Sequence, residues 1–439
     1  MPSFGFILFG GFLSGALVRD IRLANELAAR GHRVHVWWIM DRLTSVTLHE
    51  SIEQHWLFHG LRYSPRPLTR WMGRSLRDRI GQFGSSLFRD RARQHYLQKR
   101  PHLLDAVMHG LVRHLCLGVE HDPRQLQRFA RELRAADLDV LCPMLALMSP
   151  FCQAVAHYAG LSNKLRYLVT FQGYELYVRY AAALGLQDQL LARFRSAVEH
   201  SHFPAVAVSE DYRARVHEDI GVPLERMVAI PPGVPMPQRR VDRVQALKYL
   251  VQHMSIDPAI PLVSYVGRRD AEKGLDLLLY AARIMAQRGI KFQVAICGPT
   301  LWGNRYVQVC QEIADNMRLP VIWSRDVSDE HREHLFAASR AVIYPSIHRE
   351  PFGMVPVEAM AQGTPVLVPD LGGVSAVVEA DGRRAGLRFQ VWDSGDLADQ
   401  LQRLLTDDAL WRELSDAAPA VAAHFSVQRL AERFLDHVQ

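Results

Sequence analysis

Residues 341–373, AVIYPSIHREPFGMVPVEAMAQGTPVLVPDLGG, constrain the fold of this chain more than any other stretch. Ala341 to Pro345 is a short run of β-branched and aromatic residues, the composition of a strand. Ser346 to Gly353 follows as a loop punctuated by Pro351 and Gly353. A helix is predicted from near Val355, with Pro356 suited to its first turn, Gly363 to its C-cap, and Pro365 unable to continue it. Pro365 to Pro369 returns as a second apolar strand. So short a helical connection between two strands implies a parallel βαβ crossover. Ligands of such units bind at the carboxyl ends of the strands.

Two carboxylates mark that end: Glu350 in the loop and Glu358, expected in the first turn of the helix. The helix N-terminus between them offers free N–H groups and a positive dipole to an anion. A carboxylate that accepts two hydrogen bonds suits the vicinal hydroxyls of a ribose or a hexose. The unit therefore predicts a ligand with phosphate at its centre and hydroxyls at both ends, which describes a nucleotide-sugar. The same residues also read as a dipole-favoured helix acid and a solvated loop charge.

The run E-P-F-G-M-V-P-V-E, followed by A-M-A-x-G-T-P-V, resembles the E-x7-E signature of retaining glycosyltransferases of family 4, the group 1 glycosyl transferases. The resemblance implies a GT-B fold: two α/β Rossmann-like domains facing across a cleft. It implies that Glu350 touches hydroxyls of the donor sugar and Glu358 holds the ribose, with Gly353 and Met354 beside the donor.

With 439 residues, 49% hydrophobic and 22% charged, the chain is long enough for two domains with full cores. No low-complexity tract or fixed-period repeat is visible. Cys116, Cys142, Cys152, Cys297 and Cys310 form an odd set without a C-x-x-C pair, which predicts reduced thiols and a cytosolic compartment. Residues 4–18 are apolar but too short to span a bilayer, contain four glycines and lack a basic leader. They read as strand, glycine loop and helix start.

Phe4 to Phe9 is a continuous apolar strand ending at Gly10, Gly11 and Gly15. A helix follows with Leu17, Ile21, Ala24, Leu27 and Ala28 on one face, stopped by Gly31, and then a strand over Arg33 to Ile39. The opening is Rossmann-like. Its GGxxxG spacing is not G-x-G-x-x-G, and the second strand carries no acid to hold a dinucleotide's ribose, so a dehydrogenase is a poor reading. By the resemblance, Gly11 and Gly15 approach the donor phosphates and the acceptor through their backbone; a tight turn is the plainer reading.

Residues 61–100 carry eleven Lys and Arg against two Asp, a net +9, which leaves −3 on the rest of a chain whose total is +6. Leu68, Met72, Leu76, Ile80, Phe83 and Leu87 recur there at helical spacing. A basic amphipathic segment of this kind suits an anionic membrane surface or an acidic acceptor. It equally suits a surface helix whose apolar stripe is core, and Pro65, Pro67, Gly73, Gly81 and Gly84 interrupt it. No recognition motif accompanies the charge, so nucleic acid is not expected as a partner.

Gln125 to Ala136 reads as a helix and Val140 to Leu147 as a strand. A strand over Arg166 to Thr170 then runs into Phe171-Gln172-Gly173-Tyr174-Glu175. The family usually shows V-T-x-H-G here, with its histidine near the transferred sugar. Gln172 stands in that place: it can hydrogen-bond a sugar hydroxyl but cannot act as a base. Glu175 is the neighbouring candidate for an acceptor or sugar contact. Ala205 to Ser209 and Ala229 to Val234 read as strand ends and turns, the second with Pro232 where the family usually has asparagine.

Leu262 to Val266 opens the second domain. Gly267-Arg268-Arg269-Asp270-Ala271-Glu272-Lys273-Gly274 follows, similar to the family's G-R-x-x-x-x-K-G. The resemblance implies that Arg268 and Lys273 clamp the donor diphosphate. Arg offers a planar fork to two phosphate oxygens and Lys a compact charge, and both stabilise the negative charge that leaving-group departure creates. Gly298 ends the next strand beside the donor. Arg325 stands where the family commonly has a glycine whose backbone meets the base.

These readings give an N-terminal Rossmann-like, acceptor-binding domain over 1–235, with a helical basic insertion about 44–130. A nucleotide-sugar donor domain covers 236–420, and a terminal helix over 421–439 returns toward the first domain. The activity implied by the resemblance is transfer of a hexose from a nucleoside diphosphate sugar to a hydroxyl of a glycan or lipid-linked acceptor, with retention of configuration. No cofactor is expected, and no metal, since no D-x-D motif is evident and Arg268 with Lys273 supply positive charge. The expected location is cytoplasmic, peripheral on the inner face of the cell membrane. A GT-B epimerase or phosphorylase, or a non-catalytic nucleotide-sugar or membrane-binding protein, remain the alternatives.

Overall fold

The computed structural model describes residues 1–10, 14–39, 47–58, 112, 123–161, 165–300, 304–325 and 328–439. Gly11, the basic segment 61–100, most of the expected insertion over 44–130, and Cys116 lie outside them. The described chain divides into two compact units, Met1–Pro231 with Leu430–Gln439, and Pro232–Arg429.

In the first unit, β1 (Ser3–Phe9), β2 (Arg33–Ile39), β3 (Glu53–Phe58), β4 (Val140–Pro143) and β5 (Arg166–Tyr167) pair in the order β3-β2-β1-β4-β5, parallel throughout. The same segment continues as β6 (Thr170–Phe171), which pairs in parallel with β7 (Ala205–Ala207), itself beside β8 (Met227–Ala229). The adjacent Trp37 and Trp38 are both fully buried although successive side chains point to opposite faces, so β2 is covered on both sides, as a parallel sheet requires. The helix Gly15–Ala29 buries Leu17, Ile21, Ala24, Leu27 and Ala28, and Ser14 caps it by accepting from Leu17 N at 3.2 Å. The strand expected over Val140 to Leu147 ends at Pro143, and a 3-10 turn takes Ala146–Met148. Proline has no N–H to extend a ladder. From the C-terminal helix Val427–Val438, the Phe434 ring returns edge-on to Phe4 with centroids 5.5 Å apart.

In the second unit, β9 (Leu262–Val266), β10 (Gln293–Cys297), β11 (Val321–Ser324), β12 (Ala341–Ile343), β13 (Val366–Pro369) and β16 (Gly386–Phe389) form one parallel sheet. The hairpin β14 (Glu379–Ala380) and β15 (Arg383–Arg384) stands apart. The order β11-β10-β9-β12-β13-β16 is that of a doubly wound sheet. Its direction of growth reverses between β9 and β12, the switch point where such sheets bind ligands at their carboxyl ends.

The βαβ unit over 341–373 is present, with Val342 opposite Val366 and Ile343 opposite Leu367. Its helix, Met354–Ala361, begins one residue before Val355 because Gly353, at φ 153°, forms the cap. Glu358 is consequently the fifth helical residue, in the second turn rather than the first, and the first turn contains no acid. Pro356 and the left-handed Gly363 (φ 85°) occupy their expected places.

Candidate active site

Three loops meet at the switch point of the second sheet. The loop after β9 makes a 3-10 turn, Ala271–Lys273, and reverses at Gly274 (φ 63°), where a Cβ would lie 2.2 Å from Pro345 O. Only glycine permits that approach to the loop after β12. Ile347 N donates to Glu272 O at 3.2 Å, and Ser346 Oγ lies 3.1 Å from the same oxygen. The loop after β13 closes on the same place: Gly373 N donates to Glu350 O at 2.8 Å, and a Cβ at Gly372 (φ 83°) would meet that oxygen at 2.7 Å.

These loops bring Lys273 and Glu350 into direct contact. Lys273 Nζ donates to Glu350 Oε1, Ser346 Oγ donates to the same oxygen at 2.7 Å, and the ammonium lies 5.8 Å from the centre of the Tyr344 ring. Both charged groups are buried, with side chains 9% and 11% exposed. Burial alone would raise the Glu350 pKa; the Lys273 charge and the Lys273 and Ser346 hydrogen bonds outweigh it and hold the carboxyl below its ordinary value.

Arg268 is also engaged. Its Nη1 lies 2.5 Å from Asp270 Oδ2 and its Nη2 contacts Glu272 Oε1. Burial works against its charge, while Glu272 and Asp270 raise its pKa above the ordinary value. The two residues expected to clamp the diphosphate are thus part of a closed network: Arg268 and Lys273 face Asp270, Glu272 and Glu350, one negative charge in excess. The neighbouring Arg269 was not singled out in the sequence. It is 3% exposed, its Nε has no hydrogen-bond partner, and burial and then Arg325 lower its pKa. The second arginine of Gly267-Arg268-Arg269 was the available signal.

The other expected donor contacts distribute as follows. Glu358 is half-buried, 3.5 Å from Arg332 Nε. Gly353 caps its helix and Met354 is the first helical residue. Gly298, at φ 139°, ends β10 where a Cβ would lie 1.9 Å from Gly267 O, so close backbone packing already requires glycine there. In the first unit Gly15 is an exposed first helical residue. Glu175 opens the helix Glu175–Ala183, lies 2.8 Å from Arg215 Nη1 and accepts from the Tyr212 hydroxyl at 3.0 Å. Gln172 follows β6 and donates to Met144 O and Asp20.

Cys142, Cys152, Cys297 and Cys310 are buried and outside any disulfide. Among the described residues, His35, Glu53 and His55 gather three metal-type ligands. His35 Nδ1 and His55 Nε2 are 3.2 Å apart with ring centroids at 5.5 Å, so the nitrogens point at each other as in an N–H···N hydrogen bond. No helix among the described residues is long and apolar enough to cross a membrane.

The comparisons agree with this architecture. Residues 254–421 match the family model for glycosyl transferases group 1. D-inositol 3-phosphate glycosyltransferases of Nocardia farcinica and Rhodococcus erythropolis are 32% and 31% identical over 237 residues, 53% of this chain and 51% and 52% of theirs. The chain thus spans about half the length of the curated relatives it matches. Among solved structures, Anabaena HepE in complex with UDP and glucose superposes with a TM-score of 0.70 at 16% identity, covering 99% of both chains. WaaG, a glycosyltransferase involved in lipopolysaccharide biosynthesis, gives 0.61 at 17%, again over 99% of both. At such identities the likeness establishes the fold, two Rossmann-like domains of the GT-B type. The likeness to the glycosyl transferases group 1 family is carried by residues 254–421.

Proposed function

We propose that this chain transfers a hexose from a nucleoside diphosphate sugar to a hydroxyl of a glycan or lipid-linked acceptor, with retention at the anomeric carbon. The observation that carries the reading is the buried Lys273–Glu350 pair at the switch point of the donor unit, flanked by Arg268. Glu350 accepts both Lys273 and Ser346 on Oε1, so Oε2 is the oxygen to turn toward sugar hydroxyls. Lys273 and Arg268 face the diphosphate. As the anomeric carbon–phosphate oxygen bond breaks, the negative charge left on the nucleoside diphosphate strengthens both contacts. The acceptor oxygen bonds to the same face of the anomeric carbon, and its proton passes to the departing phosphate oxygen. No protein base is needed, in keeping with Gln172 where a histidine is usual. Positive charge comes from side chains, without a metal, and Glu358 takes the ribose hydroxyls.

Residues 61–100 suit contact with an anionic membrane surface on the cytoplasmic side, which favours a lipid-linked acceptor. Binding to anionic vesicles at low salt checks this, and its absence counts against the lipid version. The donor reading is tested by a thermal-shift screen of nucleotide-sugars, since a ligand that binds only the folded state raises Tm by mass action. At least one donor is expected to stabilise the wild type and not Glu350→Ala. A flat screen would contradict the reading.

A further inference from the structure

The first unit has a switch point of its own, between β1 and β4, where the sheet order β3-β2-β1-β4-β5 reverses. Three segments converge there: the helix after β1 with Arg19 and Asp20, the turn after β4 with Met144, and the turn after β6 with Gln172. Arg19 and Asp20 are 2% and 3% exposed and form an ion pair at 2.6 Å. Asp20 Oδ2 accepts from Gln172 Nε2 at 3.2 Å, and Met144 O accepts from the same nitrogen.

An amide nitrogen has two hydrogens, and here both are taken. Met144 O is a backbone carbonyl and can only accept, so the amide cannot reverse without setting two acceptors against each other. Gln172 Oε1 has neither a protein partner nor a place among the buried unsatisfied atoms, so it is open to solvent. The side chain therefore shows a ligand one group only: a hydrogen-bond acceptor of fixed direction. A carboxyl group buried beside an arginine is a costly anchor for a surface glutamine.

We propose that Asp20, with Arg19 balancing its charge, is a positioning residue that locks the Gln172 amide oxygen outward, and that this oxygen selects a sugar hydroxyl. A sugar with a deoxy carbon or a carboxylate at that place makes no such bond. The inference rests on the transferase reading for the identity of the ligand as a sugar. The hydroxyl belongs either to the sugar of the donor or to that of the acceptor.

Two binding arms separate these sources. In the first, titration calorimetry compares UDP, GDP and ADP with their glucose conjugates. In the second, saturation-transfer NMR follows methyl glucoside, galactoside and mannoside. The proteins are the wild type, Gln172→Ala, Arg19→Leu/Asp20→Val and Arg19→Leu/Asp20→Asn; in the doubles both buried charges leave together, and the asparagine keeps an acceptor for Gln172 Nε2. Gln172→Ala and the valine double are expected to lose about two- to tenfold in sugar-dependent affinity, the worth of one net hydrogen bond, with nucleotide affinity unchanged. The asparagine double is expected to recover it. Loss in the first arm assigns the hydroxyl to the donor, and loss in the second to the acceptor. Equal sugar affinity for all four proteins in both arms overturns the proposal, as does failure of the asparagine double to recover. If the wild type binds no nucleotide or conjugate, the transferase reading fails, and the glycoside arm decides the role of Gln172 by itself.

Discussion

Lys273 Nζ and Glu350 Oε1 are in direct contact, 77 residues apart in the chain, and both are buried at the reversal point of the second sheet. The pair gives the ligand-free site its shape and removes the free charge that two adjacent cations would otherwise present. On the proposed function, a donor entering the site would exchange partners with it: hydroxyls toward the carboxylate, phosphate oxygens toward the ammonium.

Removing Lys273 leaves Glu350 buried without its cation, whereas removing Glu350 leaves Lys273 with Glu272 at 3.9 Å. Lys273→Met and Glu350→Gln are each expected to destabilise the protein, Lys273→Met by about 3–5 kcal/mol and Glu350→Gln by less because the amide still accepts hydrogen bonds. Lys273→Met/Glu350→Leu is expected to cost less than the sum of the singles. Denaturant unfolding of the cycle measures the coupling.

Glu350 has a lowered folded-state pKa, so its contribution to stability is fully present above the unfolded carboxylate value, near pH 4.5, and is lost as pH falls through the lower folded value. Asp20 has the opposite sign. Burial raises its pKa to about 6, against the lowering by Arg19 and Gln172, so stability is gained as pH falls through 6. Relative to Asp20→Asn, the wild type is expected to gain about 1 kcal/mol between pH 7 and pH 5. Chemical denaturation of both proteins at the two pH values measures it.

Gly274 and Gly289 are both left-handed, at φ 63° and 75°, but only Gly274 has a backbone oxygen 2.2 Å from where a Cβ would stand. Gly289→Ala is expected to cost about 1–2 kcal/mol, the left-handed penalty alone. Gly274→Ala costs clearly more and displaces Lys273, so transferase activity falls with it. Thermal melts and activity of the two variants make the comparison.

Trp392 holds φ 68° while its side chain is 66% exposed. Val391 N donates to Asp370 Oδ1 at 2.9 Å and Gln390 N to Asp396 Oδ2 at 2.6 Å, which fix the chain just before it. Trp392→Gly relieves about 1–2 kcal/mol of left-handed strain against a smaller entropic cost. A net gain of about 0.5–1 kcal/mol is expected in unfolding measurements.

Much of the fold was legible because it is written locally. Phe4 to Phe9 is an unbroken apolar run and Leu262 to Val266 is apolar but for Ser264, and the glycines after them mark turns wherever they stand. The terminal helix expected over 421–439 runs from Val427 to Val438. Glu350 and Lys273 were identifiable because the surrounding motif is long, but their contact was not, since side-chain partners across 77 residues leave no periodicity. Asp270 and Glu272 lay in plain sight between Arg268 and Lys273, yet spacing does not say which way a side chain turns. The helix start at Met354 was missed because a glycine at φ 153° caps as well as the residue after it begins. Asp20 did leave a trace: with Leu17, Ala24 and Leu27 it falls on the buried stripe of its helix, and a charge on that stripe asks for a partner. Arg19 is next to it in the chain, but its other partner, Gln172, is 152 residues away.

The need for a metal is checked by chelation. With Arg268, Lys273 and Arg269 supplying the positive charge, EDTA is expected to leave the transfer rate unchanged. A loss restored by Mg²⁺ or Mn²⁺ would assign part of that charge to an ion.

The central claim is that the site built by Lys273 and Glu350 carries the donor chemistry. Release of nucleoside diphosphate from a panel of nucleotide-sugars, measured for the wild type and for folded Glu350→Gln and Lys273→Met proteins, tests it most directly. The account predicts release from at least one donor by the wild type and a fall of about 100-fold or more in both variants. Undiminished release in both would contradict it.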